Sequence, residues 1–170
     1  LFACLVVFAQ DAPKVEEGFT PLFNGKDLSG WTYRGSKEKL DGQTKTVDGR
    51  FVVEDGVIVA REKDKDGKGG IKVLDSVSKF PKEFVLRLQF KAGVKADSGV
   101  YVRGPQLQVR DFPRRNEQKQ LKKFKNDEWN ELEIVVKNNV TTTTLNGKAL
   151  AASDQLEAIF RDGKVSEAKL

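Results

Sequence analysis

Apolar residues recur along this chain with a period of two. Phe84, Leu86, Leu88 and Phe90 alternate with Val85, Arg87 and Gln89, and Leu132, Ile134 and Val136 alternate with Glu131, Glu133 and Lys137. A strand turns successive side chains to opposite faces, so each run predicts a strand with one face in a core and the other mostly in water. Phe51-Val52-Val53-Glu54 and Val57-Ile58-Val59 flank Asp55-Gly56, a pair that supplies the positive φ of a tight hairpin. Thr141, Thr142, Thr143, Thr144 and Leu145 run into Asn146-Gly147, the strongest short-range hairpin signal in the chain. The β-branched threonines favour a strand over a helix.

Turn-rich links separate these runs. Residues 61–70 are charged and glycine-rich, which predicts a mobile surface loop. Asp64 and Asp66 precede Gly67 without the acidic spacing or glycine position of a calcium loop, so no calcium is assigned there. Residues 113–125 are the one segment whose length and charge suit a short helix leaving the sheet. No long tandem repeat is visible, and the links are too short and evenly spread to separate two domains. Many short antiparallel strands, each needing burial on one face, are satisfied by two sheets packed face to face. The expected fold class is all-β, a concanavalin A-like β-sandwich or jelly roll, with a small closed barrel as the structural alternative.

A length of 170 residues, 38% of them apolar, suffices for one packed body. The opening Leu1-Phe2-Ala3-Cys4-Leu5-Val6-Val7-Phe8-Ala9 breaks into Gln10-Asp11-Ala12-Pro13. That run matches a signal-peptide core and falls short of the roughly 20 apolar residues that span a bilayer. Val7 and Ala9 fit the small-residue rule before a cleavage point, so residues 1–9 are expected to be a signal-peptide remnant whose charged start precedes Leu1. A buried edge strand is the alternative. Export to the periplasm, cell envelope or exterior follows, with no transmembrane segment. Cys4 is the only cysteine and would leave with the signal, so no disulfide is expected in the mature chain. The apolar Leu5, Val6 and Val7 after it argue against a lipidated cysteine.

The net charge of +5 and pI near 9.2 permit weak attraction to acidic polymers without bearing on fold. Arg110, Arg114, Arg115, Lys119, Lys122, Lys123 and Lys125 form the one basic cluster, interrupted by Asp111 and Glu117. No recognition motif or aromatic interleaving accompanies it, so it reads as a solvated loop or short helix and no specific nucleic-acid partner is expected. Asn139-Val140-Thr141 matches a glycosylation acceptor, which matters only in a eukaryotic secretory pathway.

Chemistry narrows further because the chain has no histidine. The usual neutral-pH base, the commonest zinc ligand and a Ser-His-Asp triad are all excluded, and no glycine-rich phosphate loop follows a strand. The informative segment is residues 97–111. Alternation sets Val100 and Val102 on one face and Tyr101 and Arg103 on the other; Leu107 and Val109 turn inward, leaving Gln106, Gln108 and Arg110 outward. A tight turn at Gly104-Pro105 would bring the two outward sets onto one surface. An aromatic ring, amides and guanidinium groups together suit a polyhydroxylated ligand with apolar ring faces. An ordinary solvated sheet face has the same pattern. Asp97 and Asp111 flank this face, and paired acids can divide acid and base roles. In Phe23-Asn24-Gly25-Lys26-Asp27-Leu28-Ser29-Gly30-Trp31, Trp31 is expected to pack, and Asn24 and Asp27 to form a turn.

The ordered series of motifs resembles a known family. Gly18-Phe19-Thr20-Pro21-Leu22-Phe23-Asn24-Gly25-Lys26-Asp27-Leu28-Ser29-Gly30-Trp31 is similar to the start of the 3-keto-disaccharide hydrolase domain family. The similarity continues at Phe84-Val85-Leu86-Arg87-Leu88-Gln89-Phe90, at Asp97-Ser98-Gly99-Val100-Tyr101-Val102-Arg103-Gly104, and at Gln108 with Asp111. It resumes at Trp129-Asn130-Glu131 and Leu145-Asn146-Gly147-Lys148, covering about residues 18–150. The resemblance implies a concanavalin-like sandwich exported by bacteria, and cleavage of glycosides oxidised at C3. It implies Asp111 as acid or base, Arg103 as electrostatic partner, Asp97 as a further catalytic candidate, Gln108 as hydroxyl reader and Tyr101 as sugar platform. Gln106 and Arg110 join these as saccharide-binding candidates.

The chain departs from the family pattern at three places. Gln106 stands where the family usually has an acid, and Asp97 where it commonly has an asparagine. Residues 156–170 lack the family's glycine-rich closing strands, so a sandwich over residues 18–155 is expected to be incomplete or divergent at its C-terminal end. An amide can hydrogen-bond but cannot exchange a proton at neutral pH. The expected function is therefore a hydrolase or lyase acting on 3-keto-disaccharides or related glycosides, with a noncatalytic carbohydrate-binding sandwich as the alternative and an envelope interaction protein as a third class. A divalent metal could assist the first, and no ligand set for one is evident. Oligomeric state is not specified by the sequence.

Overall fold

The computed structural model describes residues 15–102, 106–113, 123–138 and 140–149. Among them the named elements are all strands, with no α-helix, and every strand pairing is antiparallel. The chain divides into two compact units, Leu1–Ser78 and Lys79–Leu170.

In the first unit, β1 (Trp31–Tyr33) pairs with β4 (Leu74–Ser76), and β2 (Phe51–Glu54) pairs with β3 (Val57–Ala60). Asp55 and Gly56 adopt φ of 49° and 75°, the left-handed pair that a type I′ hairpin demands. Leu28, Tyr33, Leu40 and Phe51 are buried together, with Trp31, Val53, Ile58 and Leu74 packed against them. Trp31 is thus a packing residue, as its motif predicts. Ahead of β1, the Asn24 side chain accepts the N–H groups of Lys26 and Asp27 at 2.8 and 3.0 Å and donates to Asp27 Oδ1 at 2.9 Å. Asp27 in turn accepts the Ser29 N–H at 2.8 Å. Hydrogen bonds from Ser29 and Asn24 hold the half-buried Asp27 carboxyl below its ordinary pKa.

The loop over residues 61–70 lies at the surface but is pinned. Arg50 is 8% exposed and donates from Nε to the Arg61 carbonyl at 2.8 Å and from Nη2 to the Gly70 carbonyl at 2.9 Å, closing the loop at both ends. The Lys65 N–H bonds the Asp48 carbonyl at 2.8 Å in its middle. Asp64 Oδ1 accepts the N–H groups of Asp66 and Lys68 at 2.9 and 2.7 Å, so this acid serves the turn.

In the second unit, β5 (Phe84–Phe90), β8 (Asn130–Lys137), β9 (Val140–Leu145) and β10 (Lys148–Ala149) form one sheet in the order β10-β9-β8-β5. The period-two reading holds. Phe90, Leu132, Ile134, Val136 and Leu145 are buried with Phe112, Phe124, Val102 and Leu107, while Arg87 and Glu133 pair across strands on the opposite face, Nε to Oε2 at 2.7 Å. Asn146 and Gly147, with φ of 49° and 75°, make the second predicted hairpin. The remaining strands, β6 (Asp97–Tyr101) and β7 (Gln106–Arg110), form a two-stranded ladder; its Val100, Leu107 and Val109, with Val102 just past the end of β6, contribute to this core.

Candidate functional site

The β6–β7 register places the predicted face. Asp97 lies opposite Arg110, Gly99 opposite Gln108, and Tyr101 opposite Gln106. Residues directly opposite in an antiparallel pair share a face. Asp97, Tyr101, Gln106 and Arg110 therefore stand on one side, and Val100, Leu107 and Val109 on the other; the Gln108 side chain lies outside what the structure describes. Leu107 is fully buried and Val102 nearly so, which anchors the apolar side and commits the polar side to face away from the core. Arg103 and the Gly104-Pro105 turn lie outside the described residues, as do most of the basic cluster and the segment expected to hold a short helix.

The members of the row differ in setting. Tyr101 is exposed, 38% of its surface open to solvent, as a ring that receives a ligand requires. Arg110 is only 9% exposed, and its guanidinium carbon stands 5.9 Å from the centre of the Phe112 ring. That stacking explains why a residue expected to point outward is covered. Asp111 sits just past the end of β7. Its N–H donates to the Ala96 carbonyl at 2.9 Å, and its Oδ2 accepts the Lys95 N–H at 2.8 Å, where Lys95 holds a φ of 66°. The Phe112 N–H bonds back to the Arg110 carbonyl at 2.9 Å, turning the chain at Asp111. Asp111 thus fastens the turn before β6 to the end of β7. Both candidate acids consequently stand at the same end of the ladder, one across from Arg110 and the other next to it.

Two asparagines that alternation alone does not single out prove central to the neighbouring loop. Asn130 is fully buried; its Oδ1 accepts the Lys125 N–H at 2.8 Å, and its Nδ2 donates to the carbonyls of Lys125 and Glu128 at 2.8 and 3.0 Å. Asn146 Nδ2 donates to Asn130 Oδ1 at 2.9 Å, and Asn146 Oδ1 accepts the Glu131 N–H at 2.8 Å. The available signal was a polar residue in phase with Leu132, Ile134 and Val136. Among the described residues no three Asp, Glu, Cys or His side chains converge as a metal site requires.

Residues 18–168 match the model of the 3-keto-alpha-glucoside-1,2-lyase-like domain. The chain belongs to that family. The motifs by which it resembles the family now divide by role: the Asn24 and Asp27 turn and the Asn130 and Asn146 pair are structural, whereas the β6–β7 segment carries the polar row. A crystal structure described as a "putative glycosyl hydrolase from Parabacteroides distasonis ATCC 8503" is similar at 20% identity and a TM-score of 0.52, covering 91% of this chain and 84% of that one. The likeness is one of fold, consistent with the all-β sandwich class. Among curated proteins nothing matches. No helix among the described residues is long and apolar enough to cross a membrane.

Proposed function

We propose that this member of the family cleaves glycosidic bonds of 3-keto-disaccharides or related glycosides, with the polar side of β6–β7 as its saccharide-facing surface. The observation that carries the reading is the register, which gathers Asp97, Tyr101, Gln106 and Arg110 on one face. A 3-keto group acidifies the proton on C2. A base removes that proton, its electrons form the C1–C2 double bond, and the C1–O bond breaks as the departing oxygen takes a proton; water can then add across the double bond. The chain must supply a base near C2, a donor that polarises the ketone, and an acid for the leaving oxygen. Asp97 and Asp111 are the proton-transfer groups in this reading, Arg103 the ketone partner, Tyr101 the ring platform, and Gln106, Gln108 and Arg110 the hydroxyl readers. The apolar run over residues 1–9 supports action outside the cytoplasm of a bacterial cell.

The test is mass-resolved turnover of a 3-keto-disaccharide panel, with and without divalent metal, by the wild-type chain and by Asp97→Asn and Asp111→Asn. An asparagine oxygen at position 111 still accepts the Lys95 N–H, so that variant removes proton exchange while leaving the turn closed. Loss of turnover by 100-fold or more in either variant, an order typical of a general acid or base, supports the enzyme. One observation favours a noncatalytic carbohydrate-binding module instead: Asp111 already serves the fold through Lys95 and Ala96. Saturable binding without product in the wild type selects that second reading.

A further inference from the structure

The polar side of β6–β7 has a gap in its rows. Along β6 the positions are Asp97, Gly99 and Tyr101; along β7 they are Arg110, Gln108 and Gln106. Gly99 contributes no side chain, which leaves a notch between Asp97 and Tyr101. The notch is filled from across the ladder. A Cβ placed on Gly99 would stand 2.5 Å from Gln106 Cγ and 2.7 Å from its Cδ, and would also collide with Nε2. Gln106 therefore reaches diagonally from its place opposite Tyr101, within the span that long side chains cover across strands, and lays its carboxamide over the Gly99 backbone.

The backbone itself does not call for glycine here. Gly99 is absent from the positive-φ glycines that include Gly25, Gly56 and Gly147, so any residue could adopt its conformation. What position 99 requires is room, and the room is taken by one polar side chain of the candidate site.

We infer that Gly99 is a positioning residue for ligand recognition. By omitting a side chain it lets the Gln106 carboxamide lie down on β6 beside Tyr101, where a sugar ring resting on the aromatic face meets an amide donor and acceptor at the level of the strand. The ligand class is a polyhydroxylated ring with a hydroxyl at the edge of an apolar face. This rests on, and deepens, the reading of the surface as saccharide-facing. It also gives Gln106 a binding task that an amide can perform without proton exchange.

The experiment compares wild type, Gly99→Ala, Gln106→Ala and the double variant. Because the atoms in the way belong to a flexible side chain, Gly99→Ala displaces the carboxamide and leaves the fold intact, which thermal unfolding checks. Two quantities are read: the NMR resonances of the Gln106 side-chain amide, and calorimetric affinity for a 3-keto-disaccharide and its unoxidised parent. The expected result is a shifted amide resonance and about tenfold weaker binding in Gly99→Ala, the scale of one lost hydrogen bond. Gln106→Ala weakens binding equally, and the double variant is no weaker than Gln106→Ala alone. Unshifted resonances, unchanged affinity in Gly99→Ala, or additive losses in the double variant each overturn the inference while the saccharide reading stands. A wild type that binds neither sugar overturns both, even if the resonance shift is seen.

Discussion

At Asp48 the surroundings pull in opposite directions. Burial alone would raise its carboxyl, but the Tyr33 hydroxyl donates to Oδ2 at 2.6 Å, and the Arg50 N–H and Thr46 hydroxyl donate to Oδ1 at 3.1 and 2.8 Å. These donors win, and the carboxyl is held below its ordinary range. For Tyr33, burial first and the Asp48 bond second push the phenol upward. The signs follow. A depressed folded carboxyl stabilises the protein above the unfolded value of about 3.9 and loses that contribution as pH falls through the lower folded value. The raised phenol stabilises below about pH 10 and loses its contribution as pH rises toward its folded value. Tyr33→Phe should cost about 1–3 kcal/mol at neutral pH, the range of a hydrogen bond to a charged group. The deficit should shrink below pH 4, because the variant has less carboxylate stabilisation left to lose. Urea midpoints at pH 7 and pH 3 measure this, and equal deficits at both would refute it. A second residue points the other way. The Thr143 hydroxyl is buried and meets no hydrogen-bond partner among the described residues. Thr143→Val keeps the shape and removes an unsatisfied group, so it should raise stability by about 1 kcal/mol; a lower urea midpoint would count against that account.

Between β8 and the β9–β10 hairpin, stability concentrates in the Asn130 and Asn146 side chains. Replacing Asn130 by Ala would strand the Lys125 N–H, the Lys125 and Glu128 carbonyls and one amide proton of Asn146. A loss of about 2–4 kcal/mol is expected by denaturant unfolding, since buried groups left unpaired cost more than the bond was worth. A loss under about 0.5 kcal/mol would mean that water replaces those bonds. The same elements show what a sequence reveals. The β5, β8 and β9 strands and the two hairpins were legible because alternation and Asp-Gly or Asn-Gly chemistry act within a few residues. The three-residue β1 and β4 were not, because three residues cannot display a period and their pairing spans more than forty positions. In the candidate site, alternation anticipated a polar row, and the register sets Asp97, Tyr101, Gln106 and Arg110 on one side of the ladder. The burial of Arg110 against Phe112, the fastening of Asp111 to Lys95 and the seating of Gln106 over Gly99 were invisible. Each depends on which atoms meet after folding rather than on residue type or spacing.

Thirty cationic side chains against 25 acidic ones leave a charge of +5, but where the described surface pairs charges it does so locally. Arg34 meets Asp75, Arg61 meets Glu54 and Arg87 meets Glu133. Such exposed pairs contribute little to stability, yet each sets opposite charges side by side where it stands. The molecule should therefore distinguish two classes of partner by salt. Retention on heparin or duplex DNA, driven by counterion release, should collapse as salt rises from about 50 to 200 mM and show no sequence preference. A neutral sugar seated by an aromatic ring and hydrogen bonds releases no counterions, so its binding should hardly change over that range. Thermal unfolding reads the second term: a ligand at about 100 times its dissociation constant adds about 2.7 kcal/mol, or roughly 5–10 °C for a chain of this size. If a 3-keto-disaccharide raises the midpoint equally at both salt concentrations while heparin retention is lost, recognition resides in the polar row and the basic excess is incidental. If the sugar shift also disappears with salt, charge rather than the Tyr101 and Gln106 face dominates recognition, and the assignment of that face to saccharide fails.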